Sequence, residues 1–263
     1  MRRIILLQIF FSTGILFASA ELEVGAKLGA GAKGKDRFDS SLASYKSNSS
    51  PNVVTHTSLQ PAKNLFLTEI YLQKKISHGH KLGFSLGEIA FSPFSLVESN
   101  SIFEFTILNF HLNSRYLLAT YHYEFPMRRI RRVSLQTGIG LGVGQSILGV
   151  SGRYLSPFSG YNSVGGNLSG MGLHYKMEAG IKKQMDELTG FELGVMVGMI
   201  TISQFEGSIG GASSSFYVQG DGSLSSMNSN QYANYVYSNQ NYARKLDMQT
   251  SFISLYLAGN MFF

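Results

Sequence analysis

Apolar and small residues occupy every second position from Thr250 to Phe263. Ile253, Leu255, Leu257, Gly259 and Met261 alternate with Ser254, Tyr256, Ala258, Asn260 and Phe262, and the first row ends on Phe263. A strand turns successive side chains to opposite faces, so each row predicts one face of a strand. The same period of two recurs along the chain. Leu22, Val24, Ala26, Leu28, Ala30 and Ala32 oppose Glu21, Glu23, Gly25, Lys27, Gly29, Gly31 and Lys33. Phe66, Thr68, Ile70 and Leu72 oppose Glu69, Tyr71 and Gln73, and the chain returns through Leu82, Phe84 and Leu86. Further strands are predicted over 116–125, 133–143, 171–182 and 191–199, each with an apolar row against a row of Gly, Ser, Lys, Glu and His.

That makes eight strands. Short turns are predicted at 77–80, 126–132 and 184–189, and long polar connections at 35–63, about 92–113, 146–169 and 204–245. Long and short connections alternate, so all the long ones fall at one end. Rows of this kind suit a barrel in lipid: apolar side chains outward, small or charged ones toward the lumen. A sheet in hydrocarbon must close, because open edges leave backbone groups unpaired. The fold class expected is all-β, an eight-stranded antiparallel transmembrane β-barrel with long extracellular loops and short periplasmic turns. Two alternatives are weaker. A soluble barrel would need more charge on eight wetted faces. A ten-stranded count, using 102–112 and 228–238, would put the long 146–169 segment in the periplasm.

Composition narrows the setting. The chain opens with Arg2 and Arg3, an interrupted apolar run from Ile4 to Phe17, and the small residues Ala18-Ser19-Ala20. Residues 1–20 are therefore expected to be a signal peptide, and 21–263 the barrel. Cleavage before Glu21 removes Arg2 and Arg3 and brings the formal charge of +6 to +4. There is no Cys, so no disulfide and no lipoprotein anchor is expected. The basic residues form no patch interleaved with aromatics, which argues against nucleic acid as a partner.

The last strand resembles the closing strands of small bacterial outer-membrane β-barrels of the OmpA/OmpX-like kind, in its alternation and its final Phe263. That resemblance implies the bacterial cell outer membrane as location, outer-membrane lipids and the barrel-assembly machinery as partners, and a C-terminal assembly signal at Tyr256, Gly259, Phe262 and Phe263. It also implies a surface-exposed structural or adhesive role, with possible extracellular host proteins as partners.

The predicted topology brings charged residues into a narrow lumen. Lys27, Glu69, Lys176 and Glu178 are expected near mid-height, with Glu23, His122, Glu124, Arg132, Lys182 and Glu192 nearer the periplasmic end. Buried charges must pair, so an ion-pair plug is expected, and a narrow path for ions or protons is the alternative. His56, His78, His80, His111, His122 and His174 stand in no spacing that pairs a nucleophile with a base. No catalytic residue, metal site or cofactor is expected; His78-Gly79-His80 reads as a solvated turn. A small porin is the second functional reading and a lipid-modifying enzyme the third. Arg128, Arg129, Arg131 and Arg132 could meet anionic headgroups or simply be solvated. Recognition is expected in the outer loops, from Tyr154, Phe158 and Tyr161, and from Phe216, Tyr217, Tyr232, Tyr235 and Tyr237. There, rigid aromatics stand among Ser, Asn and Gly, a mixture that suits binding. Residues 102–112 are expected to extend a hairpin beyond the bilayer.

Overall fold

A computed structural model describes residues 21–34, 36–45, 56–101, 104–127, 130–156 and 160–263. Residues 1–20, expected above to be a signal peptide, and Arg128, Arg129 and Phe158 lie outside the described residues. In chain order the elements are β1 (Leu22–Lys33), α1 (Arg37–Ala43), β2 (His56–Gln60), β3 (Asn64–Ser77), β4 (His80–Phe91), β5 (Phe94–Ser101) and β6 (Glu104–Pro126). Then come β7 (Val133–Ser156), β8 (Gly160–Gln184), β9 (Thr189–Ile202), β10 (Glu206–Ile209), β11 (Ala212–Val218), β12 (Leu224–Asn228), α2 (Ser229–Asn239), β13 (Arg244–Lys245) and β14 (Met248–Phe262). Among the described residues no helix is long and apolar enough to cross a membrane.

Eight of these strands close on themselves. β1 pairs with β3, then β4, β6, β7, β8, β9 and β14 follow in antiparallel order, and β14 returns to β1. The closing seam sets Lys27 beside Ala258 and Leu28 beside Leu257. A closed ring leaves no wall strand with an unpaired edge, the condition for a sheet in hydrocarbon.

The short turns are built by local chemistry. Gly79 takes the left-handed backbone (φ +78) that a tight reversal between β3 and β4 needs. Between β8 and β9, the Asp186 carboxylate accepts from the backbone N–H of Leu188 at 2.8 Å and of Thr189 at 2.6 Å. Such a side-chain-to-backbone bond mimics a turn and fixes it.

Each wall strand presents an apolar row outward. Leu28, Ile70, Phe84, Leu117, Leu141, Met177, Leu193 and Leu255, one from each strand in turn, are all exposed, as are Leu135, Val195 and Leu257. In water this belt would be a severe aggregation hazard; in a bilayer it is the surface that lipid covers.

Beyond the belt, toward the long-loop end, the pattern inverts. On β6, Leu117 faces out and His122 faces in; farther out, Asn113, His111 and Asn109 face out while Leu112, Phe110 and Leu108 are buried. β7 switches likewise, with Leu148 and Val150 inside and Ser151 and Arg153 outside. The same strands thus act as a lipid-facing wall below and as an ordinary water-soluble sheet above. Within 146–169, expected to be a loop, residues 146–156 and 160–169 are instead the paired ends of β7 and β8, in register from Ser156↔Gly160 downward. The Gly and Ser residues that suggested a loop are compatible with a strand because the alternation continues through them with its sense reversed.

The other long connections also carry structure. β5 pairs with both β2 and β6, so residues 94–101 and 104–112 form a protruding sheet, and β10 to β13 continue from β8. Together with α1 they make an outer head on an apolar core that runs on into the lumen as far as Tyr71, Tyr116 and Tyr256. Phe38 of α1 lies 6.3 Å from Phe94 and 6.0 Å from Phe205, ring centre to ring centre, and Phe94 stacks on Phe110 at 5.0 Å. α1 is fastened to the wall through polar contacts as well. Lys33 Nζ reaches Asp36 at 2.7 Å and Asp39 at 2.6 Å, and Thr250 donates to Asp36.

Candidate functional site

The lumen at mid-height holds a charge-balanced square. Lys27 Nζ donates to Glu178 Oε1 at 2.6 Å and lies 3.2 Å from Glu69 Oε1. Lys176 Nζ donates to both oxygens of Glu69, at 2.6 and 2.7 Å, and lies 3.4 Å from Glu178. Glu69 also accepts from the Tyr116 hydroxyl at 2.8 Å. The Lys27 ammonium sits over the rings of Tyr71 at 4.8 Å and Tyr256 at 5.0 Å, positions that favour a cation. His122 Nε2 contacts Glu178, and its Nδ1 is 3.0 Å from Gln73 Nε2. A neutral imidazole with its proton on Nε2 satisfies both partners, one as donor and one as acceptor.

The strands position these groups through paired rows of large and absent side chains. Gly138 of β7 stands opposite His122, and a Cβ there would lie 2.1 Å from the imidazole Cδ2. Gly87 makes the same room for Tyr116. Each luminal glycine of this kind is the space into which a neighbour's ring lies flat.

A second network lies toward the short-turn end. Glu23 takes Lys81 at 2.8 Å and Lys182 at 2.6 Å. Glu124 pairs with Lys81 and accepts from the Ser134 hydroxyl at 2.6 Å. Glu192 accepts from Tyr256, and Tyr71 donates to Asn260. Below them opens a bowl of about 760 Å³, lined by Lys81, Lys182, Glu124, Ile130 and Phe262 among others.

Arg132 is a correction: it is exposed, takes a left-handed backbone (φ 62) and donates to the Met185 carbonyl at 3.1 Å. It shares the sequence parity of the luminal row, but parity ends where the strand does, and β7 begins at Val133. His122, expected nearer the rim, belongs to the mid-height square. Tyr116 and Gln73, which charge alone did not single out as partners, complete it; their phase on the Glu69 and His122 faces was the available signal.

The lumen is packed. The side chains of Lys27, Glu69 and Lys176 are 0% exposed. Ile200 and Phe252 are buried as well, and Phe252 lies 5.9 Å from the His174 ring. Both nitrogens of His174 and both polar atoms of the Gln136 amide are buried without a protein partner among the described residues. Among those residues, too, no group of three His, Asp or Glu is arranged to hold a metal.

The predicted recognition residues divide. Phe216 is a correction: it is 1% exposed, packed against Tyr45 at 6.0 Å and Phe110 at 6.3 Å, and so serves the head core. Tyr154, on β7, is half-buried, and Tyr161 lies within β8. Tyr217 of β11 and Tyr232 of α2 stack at 4.6 Å and 22°. Tyr235 accepts from the Gly220 N–H at 3.1 Å, while Tyr237 is 88% exposed. At the chain end Tyr256 and Phe262 face the lumen side, where Lys182 lies 4.7 Å over Phe262, and Phe263 faces out.

A closed eight-stranded ring with an apolar belt outside and paired charges within is the architecture of small bacterial outer-membrane β-barrels. No family model matches the chain, and no curated protein matches it. Solved structures similar to it include Neisserial surface protein A (10% identity, TM-score 0.40, covering 90% of this chain and 95% of that one). Ail, the attachment invasion locus protein of Yersinia pestis, solved with the heparin analogue sucrose octasulfate, aligns at 10% identity and TM-score 0.36 over 93% of this chain and 98% of its own. The outer membrane protein OprG from Pseudomonas aeruginosa aligns at 11% identity and TM-score 0.39, over 93% and 96%.

Proposed function

We propose that this outer-membrane barrel is a surface-recognition protein whose lumen is a structural plug. The observation that carries the reading is the division of labour along its axis. The membrane level is spent on paired, unexposed charges, while the outer level builds a head from α1, β2, β5 and β10–β13 on a buried apolar core. A conduit needs charges that meet water and exchange partners; here Lys27 and Lys176 are each held between two carboxylates. A head packed on a buried core can hold surface residues such as Tyr217 and Tyr232 in fixed positions, which lowers the entropy lost on binding.

Two measurements test this. In planar bilayers the refolded protein is expected to give no sustained single-channel openings, and steady openings altered by Glu69→Gln would overturn the plug in favour of the small-porin reading. In pull-downs with extracellular host proteins and glycans, the intact barrel is expected to retain a ligand that it loses when the head residues 206–245 are replaced by a short Gly/Ser linker. Equal retention by both forms would remove the recognition role from this head.

A further inference from the structure

The outer head carries a cleft of about 550 Å³ between the end of β9, β11, β13 and α2, within the range of small-ligand sites. We propose that this cleft binds a neutral oligosaccharide. The inference rests on the surface-recognition reading above and gives it a ligand class.

The first support is the platform. Tyr217 and Tyr232 both line the cleft, half-buried and stacked on each other at 4.6 Å. Both are fixed from behind. Tyr217 is held between β12 and β13, opposite Ser225 and Lys245. Tyr232 sits in the first turn of α2, which a reciprocal cap between Asn228 and Gln231 anchors at 2.8 and 2.9 Å. Rigid tyrosines offer broad contact area with little entropy to lose, and a hydroxyl at the rim. The C–H face of a pyranose ring is an apolar plate that packs on such a surface.

The second support is charge. Arg244 pairs with Asp247, and Lys245 pairs with Glu206, which also accepts from Gln204 at 3.0 Å. Each cation at the cleft is matched by a carboxylate, so the site has donors and acceptors without a net field. The α2 wall adds none, because no charged residue lies between Asp221 and Arg244. A phosphate, sulfate or sialate would meet Asp247 and Glu206 as well as the cations and would have to break an existing pair. Sugar hydroxyls, which donate and accept, can bond to paired groups without separating them.

The test uses the refolded full chain in lipid nanodiscs on an array of neutral, sialylated and sulfated oligosaccharides. Binding is expected on neutral members. Tyr232→Ala and, independently, Gln204→Ala are expected to weaken it by at least about tenfold, the share of a hot-spot contact. Ser238→Ala, on α2 but not lining the cleft, is expected to bind as the parent does. Heat-modifiable gel mobility checks that each variant is folded. Binding confined to sialylated or sulfated members, or neutral binding unmoved by both substitutions, overturns the inference. No glycan binding together with head-dependent capture of a host protein sinks the cleft but leaves surface recognition standing; loss of both sinks both.

Discussion

Lys27 and Glu178 meet at 2.6 Å across the lumen although 151 residues separate them in the chain. Two wall strands, β9 and β14, stand between their own strands in the ring. The contact therefore ties opposite sides of the barrel, and it exists only once the sheet has closed.

Removing one partner exposes what the pair does. Lys27→Met is expected to leave Glu69 and Glu178 sharing Lys176 and to destabilise the barrel by about 3–5 kcal/mol, the usual cost of an uncompensated buried charge. Adding Glu178→Gln to Lys27→Met should recover part of that loss. Urea midpoints of the refolded barrel in lipid vesicles check both. A double variant no more stable than the single would mean that the charges do not act as a unit.

His174 lies in the lumen with neither ring nitrogen bonded to protein, its ring 4.2 Å from Tyr116. His174→Phe keeps the aromatic contact and removes two unpaired polar atoms. It is expected to be neutral or stabilising by about 1 kcal/mol, since an unsatisfied buried polar group costs about 1–3 kcal/mol. A clear loss of stability in the same unfolding assay would assign the imidazole a polar partner.

A Cβ at Gly87 would lie 2.4 Å from the Tyr116 ring and 2.7 Å from the Thr68 carbonyl oxygen. Gly87→Ala should displace Tyr116 from Glu69 and cost about 1–3 kcal/mol, as overpacking does. Gly259→Ala, where nothing lies within 4 Å of the added atom, should refold and unfold as the parent. The contrast between the two glycines is the readout.

The Asp186 carboxylate accepts from the Thr189 hydroxyl at 2.8 Å and from the N–H groups of Leu188 and Thr189. These bonds, the hydroxyl's first, favour the charged form and hold its pKa below the ordinary aspartate value. A group depressed in the folded state stabilises above its unfolded pKa and loses that contribution as pH falls through the folded one. Protection factors of the Leu188 and Thr189 amides should be flat from about pH 7 to about pH 5 and drop below about pH 4. In Asp186→Asn that acid-dependent drop should vanish.

Phe38→Ala empties a site between Phe94 and Phe205 in the head core. Large-to-small changes of this type cost about 3–5 kcal/mol. Because Phe38 belongs to the same buried cluster as Tyr71, Tyr116 and Tyr256 beside the charge square, the urea midpoint of the barrel should fall along with faster proteolysis of the outer loops. Faster proteolysis with an unmoved midpoint would make head and wall separate cooperative units.

Alternation, taken with the rule a bilayer imposes, determined the number of wall strands, the ring, which rows meet lipid at the membrane level, and the end at which the long connections lie. It could do so because a bilayer imposes one rule on every strand: an apolar row out, and every edge paired. The residues of the charge square were legible for the same reason, as the charged positions of the inward rows. Their pairing was not. Which lysine meets which carboxylate depends on the stagger of strands far apart in sequence, and only closure sets it. The tertiary structure also decided everything above the belt. There water lies outside the wall, so the same period of two changes its sense, and Leu108, Phe110 and Leu148 turn inward to join α1 and Phe216 in a core. Alternation cannot distinguish these two senses, because it records that faces differ and not which solvent each one meets.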